Sequence, residues 1–398
     1  MTNLPQGWEV KKLEEIANIK GCKRLPKGEN LLDNNTKFAY IRVADFQDNG
    51  TINLQNIKFI NENTYNVLKN YKIYDDNLYI SIAGTIGKSG IIPKELNGAI
   101  LTENAVKLEY IQNNISNKFM YFFTLSNIFK TQIQTSTKIV AQPKLAITRL
   151  KQIQIPLPPL KEQERIVGIL DESFAKIDES IKILEQNLLN LDELMQSALQ
   201  KAFNPLKDNA KENYKLPQSW EWKSLEEISE NISAGGDKPK NCTESKTAKN
   251  QIPVYANGVN NNGLVGYTDK ATIIKPSLTI SARGTIGFVC IRKEPYFPIV
   301  RLISLIPCEN ILCLHYLYFC LNFFIAKGEG SSIPQLTIPK FKSLQIPLPP
   351  LKEQEQIAEH LDFVFEKAKA LKELYTKELK DYEELKQSLL DKAFKGEL

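Results

Sequence analysis

Between residues 166 and 202, apolar or small residues recur at steps of three or four. They are Ile166, Leu170, Phe174, Ile177, Ile181, Leu184, Leu188, Leu191, Met195, Ala198 and Ala202. This spacing is the seam of a coiled coil and predicts one helix from about Leu160 to about Phe203. At ~1.5 Å per residue it would be roughly 65 Å long. Leu-Pro-Pro at 157–159 ends the segment before it, since proline is tolerated just before or at a helix start. A second stretch repeats the pattern with Ile357, Leu361, Phe365, Ala368, Tyr375, Leu379, Tyr382, Leu389 and Ala393. Its seam is interrupted by Lys372 and Lys386. A long helix with one apolar stripe needs a partner. Chain order predicts that the two lie antiparallel.

Elsewhere the pattern is shorter. FAYIRVADF (38–46), NLYISIAG (77–84), AVKLEYI (105–111) and LKQIQIPL (150–157) read as strands. So do IPVYANG (252–258), SLTISARG (277–284) and VRLISLI (300–306). Short helices are expected over the WEVKKLEEI segment and over NKFMYFFTLSNIFK (117–130). Two compact α/β (α+β) modules in tandem, separated by long helices, are the predicted architecture.

The chain is an internal repeat. LPQGWEVKKLEEI (4–16) returns as LPQSWEWKSLEEI, offset by 212, and SIAGTIG (81–87) returns as SARGTIG, offset by 200. QIPLPPLKEQERIVGIL returns as QIPLPPLKEQEQIAEHL, and QSALQKAF as QSLLDKAF, both offset by 191. The offset shrinks across the modules and then holds constant along the helices. Equal length is what two helices lying side by side in register require; a loop would not need it.

Charge follows the same division. Residues 1–155 carry +7, 156–205 carry −4, 206–346 carry +5 and 347–398 carry −3. Two basic modules therefore alternate with two acidic helices, and a basic block attracts polyanions, although solvated lysines alone give the same balance. The 398 residues contain no run of about 18 apolar positions and no basic-then-apolar leader. The six cysteines form no C-x-x-C pair. Free thiols in a cytoplasmic protein are expected.

Catalytic motifs are missing. Gly87-Lys88-Ser89 resembles the end of a phosphate loop, but the first glycine of G-x-x-x-x-G-K-[ST] would fall at Ile82, and Pro93 follows where a helix should begin. The repeat keeps only Gly-Thr-Ile-Gly, followed by Phe288-Val289-Cys290. Two glycines three apart at a strand end predict a turn of positive φ. No glycine-rich methyl-donor loop or Asn/Asp-Pro-Pro-aromatic motif occurs. His315 falls in an apolar stretch read as a core helix with a satisfied histidine, and His360 on the second long helix is expected to be solvated. The KEQE carboxylates (161–164 and 352–355) suit helix N-termini. No nucleophile or general base is assembled, so a binding protein is expected, with no catalytic residue, no cofactor and no metal in this chain. Two unlike basic modules held apart by a rigid spacer suit double-stranded DNA with two unlike half-sites. A free-standing DNA-binding regulator and a coiled-coil scaffold for other proteins are the competing readings.

The doubled PLPPLKEQ string, the paired LPxxWExxxLEEI openings and the paired GTIG turns resemble the DNA specificity subunit of type I restriction-modification systems over essentially the whole chain. The resemblance implies target recognition domains at 1–155 and 206–346. It implies spacer helices at 156–205 and 347–398, packed as an antiparallel coiled coil with pseudo-two-fold symmetry. It also implies that the subunit docks two methylation subunits, which carry S-adenosylmethionine and methylate adenine. Restriction subunits that use ATP are further partners it allows.

Candidate DNA-binding residues in the first module are Lys23, Arg24, Lys27, Arg42, Lys88, Lys138 and Lys144. In the second they are Lys238, Lys240, Lys246, Lys249, Asn257, Asn260, Arg283 and Gln335. Arg suits guanine and Asn or Gln suits adenine; simple solvation is the alternative for each. Gly84, Gly87, Gly284 and Gly287 are expected to shape loops, and Trp8, Trp220 and Trp222 to close the cores.

Overall fold

The computed structural model describes residues 4–136, 145–207, 219–325, 328–329 and 336–398. The chain divides into two compact units: Met1–Leu184 with Lys377–Leu398, and Glu185–Thr376. Each unit contains a sheet-based module and a segment of both long helices.

In the first unit, four strands form an antiparallel sheet in the order Ala17–Gly21, Ala105–Tyr110, Leu78–Ser81, Ser89–Ile91. Alternate side chains of a strand face opposite ways. Leu78, Ile80, Val106 and Leu108 enter one core with Phe119, Phe122 and Phe123 of helix Asn117–Leu125. Tyr79 points into another core, with its ring 4.1 Å from that of Phe46. A second sheet, ordered Lys58–Phe59, Ala39–Ile41, Ala99–Leu101, Lys72–Ile73, supplies that core. The second unit repeats the main sheet as Ser229–Ala234, Ile303–Pro307, Ser277–Ile280, Val289–Arg292, again antiparallel. Leu278, Ile280, Ile303 and Leu305 pack there with helix Leu314–Phe324. Its smaller sheet differs, with Leu264–Thr268, Ile252–Tyr255 and Phe297–Pro298.

Some expectations change. The WEVKKLEEI segments are not helices throughout. Glu9–Lys12 and Glu221–Ser224 are strands, followed by single turns at Leu13–Ile16 and Leu225–Ile228. The strands exist because Gln154–Leu157 and Gln345–Leu348 return to pair with them antiparallel. The strand expected over 38–46 stops at Ile41, where Asp45 accepts from the Arg42 backbone at 2.7 Å and shapes a tight turn. The stretch 150–157 begins as the end of helix Ile147–Lys151. Trp8 and Trp220 pack against the cores as expected, whereas Trp222 is exposed.

The long helices are Leu160–Lys207 and Leu351–Ala393. They pack antiparallel within each unit. In the first, Arg165 donates to the Leu398 carbonyl at 2.8 Å, while Asp178, further along, pairs with Lys386. In the second, Asp192 pairs with Lys372, and Leu199 and Phe203 share a core with Ala358 and Leu361. The two lysines that interrupt the second seam are therefore each met by an aspartate. The aspartates and the lysines are each fourteen residues apart. Polar pairs at isolated seam positions select one register among several that apolar residues alone would accept.

The PLPPLKEQ repeat has a structural task. Gln163 is buried; its Oε1 accepts from the Ser116 N–H at 2.9 Å, and its Nε2 donates to the carbonyls of Asn114 (3.1 Å) and Pro158 (2.9 Å). Gln354 does the same with the Cys313 N–H (2.9 Å) and the carbonyls of Ile311 (2.9 Å) and Pro349 (2.8 Å). Ser116 and Cys313 are the N-cap residues of the core helices. The glutamine thus satisfies an N-cap N–H, as the third residue of a capping box does, but from a different helix. Among the described residues, no helix is long and apolar enough to cross a membrane.

Candidate nucleic-acid interface

Topology gathers the candidate residues. In the first sheet Gly21 pairs with Val106, Ser81 with Ala105, and Ile80 with Ser89. The loops after Gly21, before Ala105 and between Ser81 and Ser89 therefore leave the same end of the sheet. In the second sheet Ala234 and Ile280 both pair with Ile303, and Ile280 with Val289. The loops carrying Lys238, Arg283 and Arg301 likewise share one end.

The GTIG turns are alike. Gly84, Gly87, Gly284 and Gly287 all have positive φ, between 71° and 88°. Gly87 N–H donates to the Ser81 carbonyl at 2.9 Å, and Gly287 N–H to that of Ser281 at 3.0 Å. A Cβ on Gly84 or Gly284 would meet nothing within 4 Å. These two glycines are needed for their backbone conformation and leave the turn bare on its outer side.

In the first module, Arg24 is held at one edge. Its Nε donates to Glu103 Oε1 at 2.9 Å, leaving the guanidinium largely exposed. Glu103 also accepts from Tyr40 (3.3 Å) and Thr102 (3.1 Å). Burial alone would raise the Glu103 pKa, but hydrogen bonds from Arg24, its own backbone, Thr102 and Tyr40 outweigh burial and hold it below the ordinary value. These residues line a cavity of about 360 Å³ with Leu25, Leu31 and Arg42. Arg42 itself faces inward. Its Nε and a terminal nitrogen clamp the buried Asp45 at 3.0 and 2.5 Å, and it donates to the Asn56 carbonyl at 2.9 Å. Lys88 is half-buried and pairs with the exposed Asp48 at 2.7 Å. Lys23 and Lys27 are exposed and pair with no carboxylate among the described residues. Lys138 and Lys144 lie outside the described residues.

In the second module, Lys238, Lys240, Asn260 and Arg283 are exposed. Lys246 lies 5.6 Å from the centre of the Tyr267 ring, and Lys249 is a loose 3.9 Å from Asp269. Asn257 is committed at both ends of its amide. Nδ2 donates to the Val300 carbonyl at 2.6 Å, and Oδ1 accepts from Ala282 N–H at 2.8 Å. It joins the Arg283 loop to the Val300 loop. Gln335 lies outside the described residues. Glu103, which orients Arg24, and Arg301 belong to no local pattern of residues: Arg24 is 79 residues from Glu103, and the Gly235 carbonyl that holds the Arg301 N–H is likewise remote in the chain.

The thiols and histidines nearby are not set up for nucleophilic chemistry. Burial pushes the Cys22 thiol up to about 12 and raises those of Cys290 and Cys320, the reverse of an activated thiolate. His315 is half-exposed, not buried, and its Nδ1 lies 2.6 Å from Asp362. His360 is exposed. Among the described residues, no three His, Cys, Asp or Glu side chains cluster as metal ligands.

Residues 5–189 and 217–380 each match the profile of the type I restriction modification DNA specificity domain. A chain named as a type I specificity subunit from Mycoplasma pneumoniae is 29% identical over 357 residues, covering 88% of this chain and 87% of its own. A solved structure from work on complex assembly and conformational transition of the type I R-M system matches all of both chains with a TM-score of 0.82 at 20% identity. The crystal structure of the HsdS subunit from Thermoanaerobacter tengcongensis matches at 0.60 and 21% identity, over 100% of this chain and 98% of that one. The two structural likenesses establish the fold.

Proposed function

The chain belongs to the type I restriction-modification DNA specificity family, and from that premise we propose that its two modules read the two unlike halves of a split DNA target. In this reading the chain catalyses nothing itself. It directs adenine methylation by two methylation subunits carrying S-adenosylmethionine, and restriction where ATP-using subunits join, all in the cytoplasm. The observation that carries the reading is the duplicated sheet end. The same four-strand order and GTIG turn occur twice, but the exposed side chains around them differ. A shared frame with unlike contact residues is what reading two different half-sites requires.

The candidates divide by their surroundings. Lys23, Lys27, Lys238 and Lys240, solvated on flexible stems, suit phosphates, and the oriented Arg24 suits a base edge. Arg42 and Asn257 act through the loops they hold. Lys27→Ala is expected to weaken binding to all duplexes evenly, making the negative slope of log K against log salt shallower by about 0.9. Arg24→Ala is expected to cost about 1–3 kcal/mol against one base pair and leave the rest. Binding titrations on matched and single-mismatch duplexes at several salt concentrations separate the two.

The functional test is a map of adenine methylation in cells with and without this chain. A split adenine motif should vanish on deletion and return with the intact chain. If no such motif disappears, the reading is wrong.

A further inference from the structure

Val300 and Arg301 are consecutive non-glycine residues in the left-handed region, with φ of 55° and 60°. That conformation is unfavourable for any side chain and most of all for a β-branched one. Burial does not compensate, because Val300 is 50% exposed. Arg301 is exposed too and pairs with no carboxylate among the described residues.

The surroundings hold the tip firmly. Val300 N–H donates to the Gly236 carbonyl, Arg301 N–H to that of Gly235, and Gly235 N–H to that of Leu302, each at 2.8 Å. The Val300 carbonyl accepts from Asn257. Gly235 is required here, since a Cβ would sit 2.6 Å from the Ile299 nitrogen and the Pro298 carbonyl carbon. Strain that is over-determined by its neighbours, at an exposed tip, marks a place where a fixed presentation is needed. The tip stands at the sheet end that also carries Arg283 and the bare turn at Gly284.

We propose that Val300–Arg301 is a base-reading tip of the second module, positioned by Asn257 and Gly235. The Val300 methyls meet a thymine C5-methyl in the major groove, and the Arg301 fork meets O6 and N7 of a neighbouring guanine. This rests on the reading that the second module recognises one half-site.

The test uses the full chain assembled with its partner subunits and a pool of randomised duplexes, with the bound fraction sequenced. Val300→Gly should keep or raise Tm, because glycine adopts this φ without strain. It should also relax one position of one half-motif. Arg301→Ala should relax an adjacent position by roughly 5- to 150-fold, the equivalent of a bidentate base contact, with the other half-motif and the salt slope unchanged. The proposal is overturned if both variants recover the wild-type motif, or if Arg301→Ala weakens all duplexes evenly with a shallower salt slope. If the wild-type assembly itself enriches no motif at all, the half-site reading falls, and the proposal with it.

Discussion

Phe394→Ala is expected to destabilise the first unit by about 3–5 kcal/mol, the usual cost of emptying a buried phenylalanine site, while leaving the second nearly unchanged. Phe394 is fully enclosed, with its ring 5.1 Å from Phe119 and 5.4 Å from Phe123. Leu390 and Ala393 are buried in the same core. The last turns of the chain thus complete a core whose other members come from its first 170 residues. Phe203 is the counterpart in the second unit, against Tyr316, Phe323 and Phe324 at 5.6–6.2 Å. Amide hydrogen exchange distinguishes the two. Phe394→Ala should strip protection from Leu78–Ser81 and Ala105–Tyr110 and spare Ser277–Ile280 and Ile303–Pro307. Phe203→Ala should do the opposite. Equal loss in both units from either change would mean that the units do not fold as separate cooperative blocks.

Gln163→Leu should cost about 1–3 kcal/mol despite conserving volume, because it leaves a part-buried N–H and two carbonyls, one of them buried, without their partner. The stranded groups are the Ser116 N–H and the Asn114 and Pro158 carbonyls. Gln354→Leu should act equally on the Cys313 N–H and the Ile311 and Pro349 carbonyls. Gln163→Glu keeps the acceptor but loses both donated bonds and buries a carboxylate, so it should be no better tolerated. Urea midpoints read the effect directly. A wild-type midpoint for Gln163→Leu would show that the glutamine only fills space.

The doubled PLPPLKEQ string is visible in the sequence, and its carboxylates suit the helix dipole. The glutamine between them holds the structure, and its role depends on a loop some fifty residues earlier. The WEVKKLEEI segment shows the same limit. A helix is expected over its whole length, but only Leu13–Ile16 is helical, because Glu9–Lys12 pairs as a strand with Gln154–Leu157, and non-local pairing outweighs propensity. Lys372 and Lys386 interrupt an apolar seam in the sequence, and only the fold shows that Asp192 and Asp178 meet them.

The sequence by itself determined the duplication, the two long helices and their antiparallel pairing, the positive-φ glycine turns and the division into basic and acidic blocks. Each is encoded by a period, a repeat, a local composition or a residue free to take positive φ, so the order of residues along the chain suffices to reveal it. The tertiary structure alone decided which cations are available. It turned Arg42 inward onto Asp45, anchored Arg24 on Glu103, and used both ends of the Asn257 amide to hold the Val300–Arg301 tip. The last two depend on contacts 79 and 43 residues apart in the chain. Such contacts form only when sheet pairing brings the loops to one end, and no local pattern of residues records them.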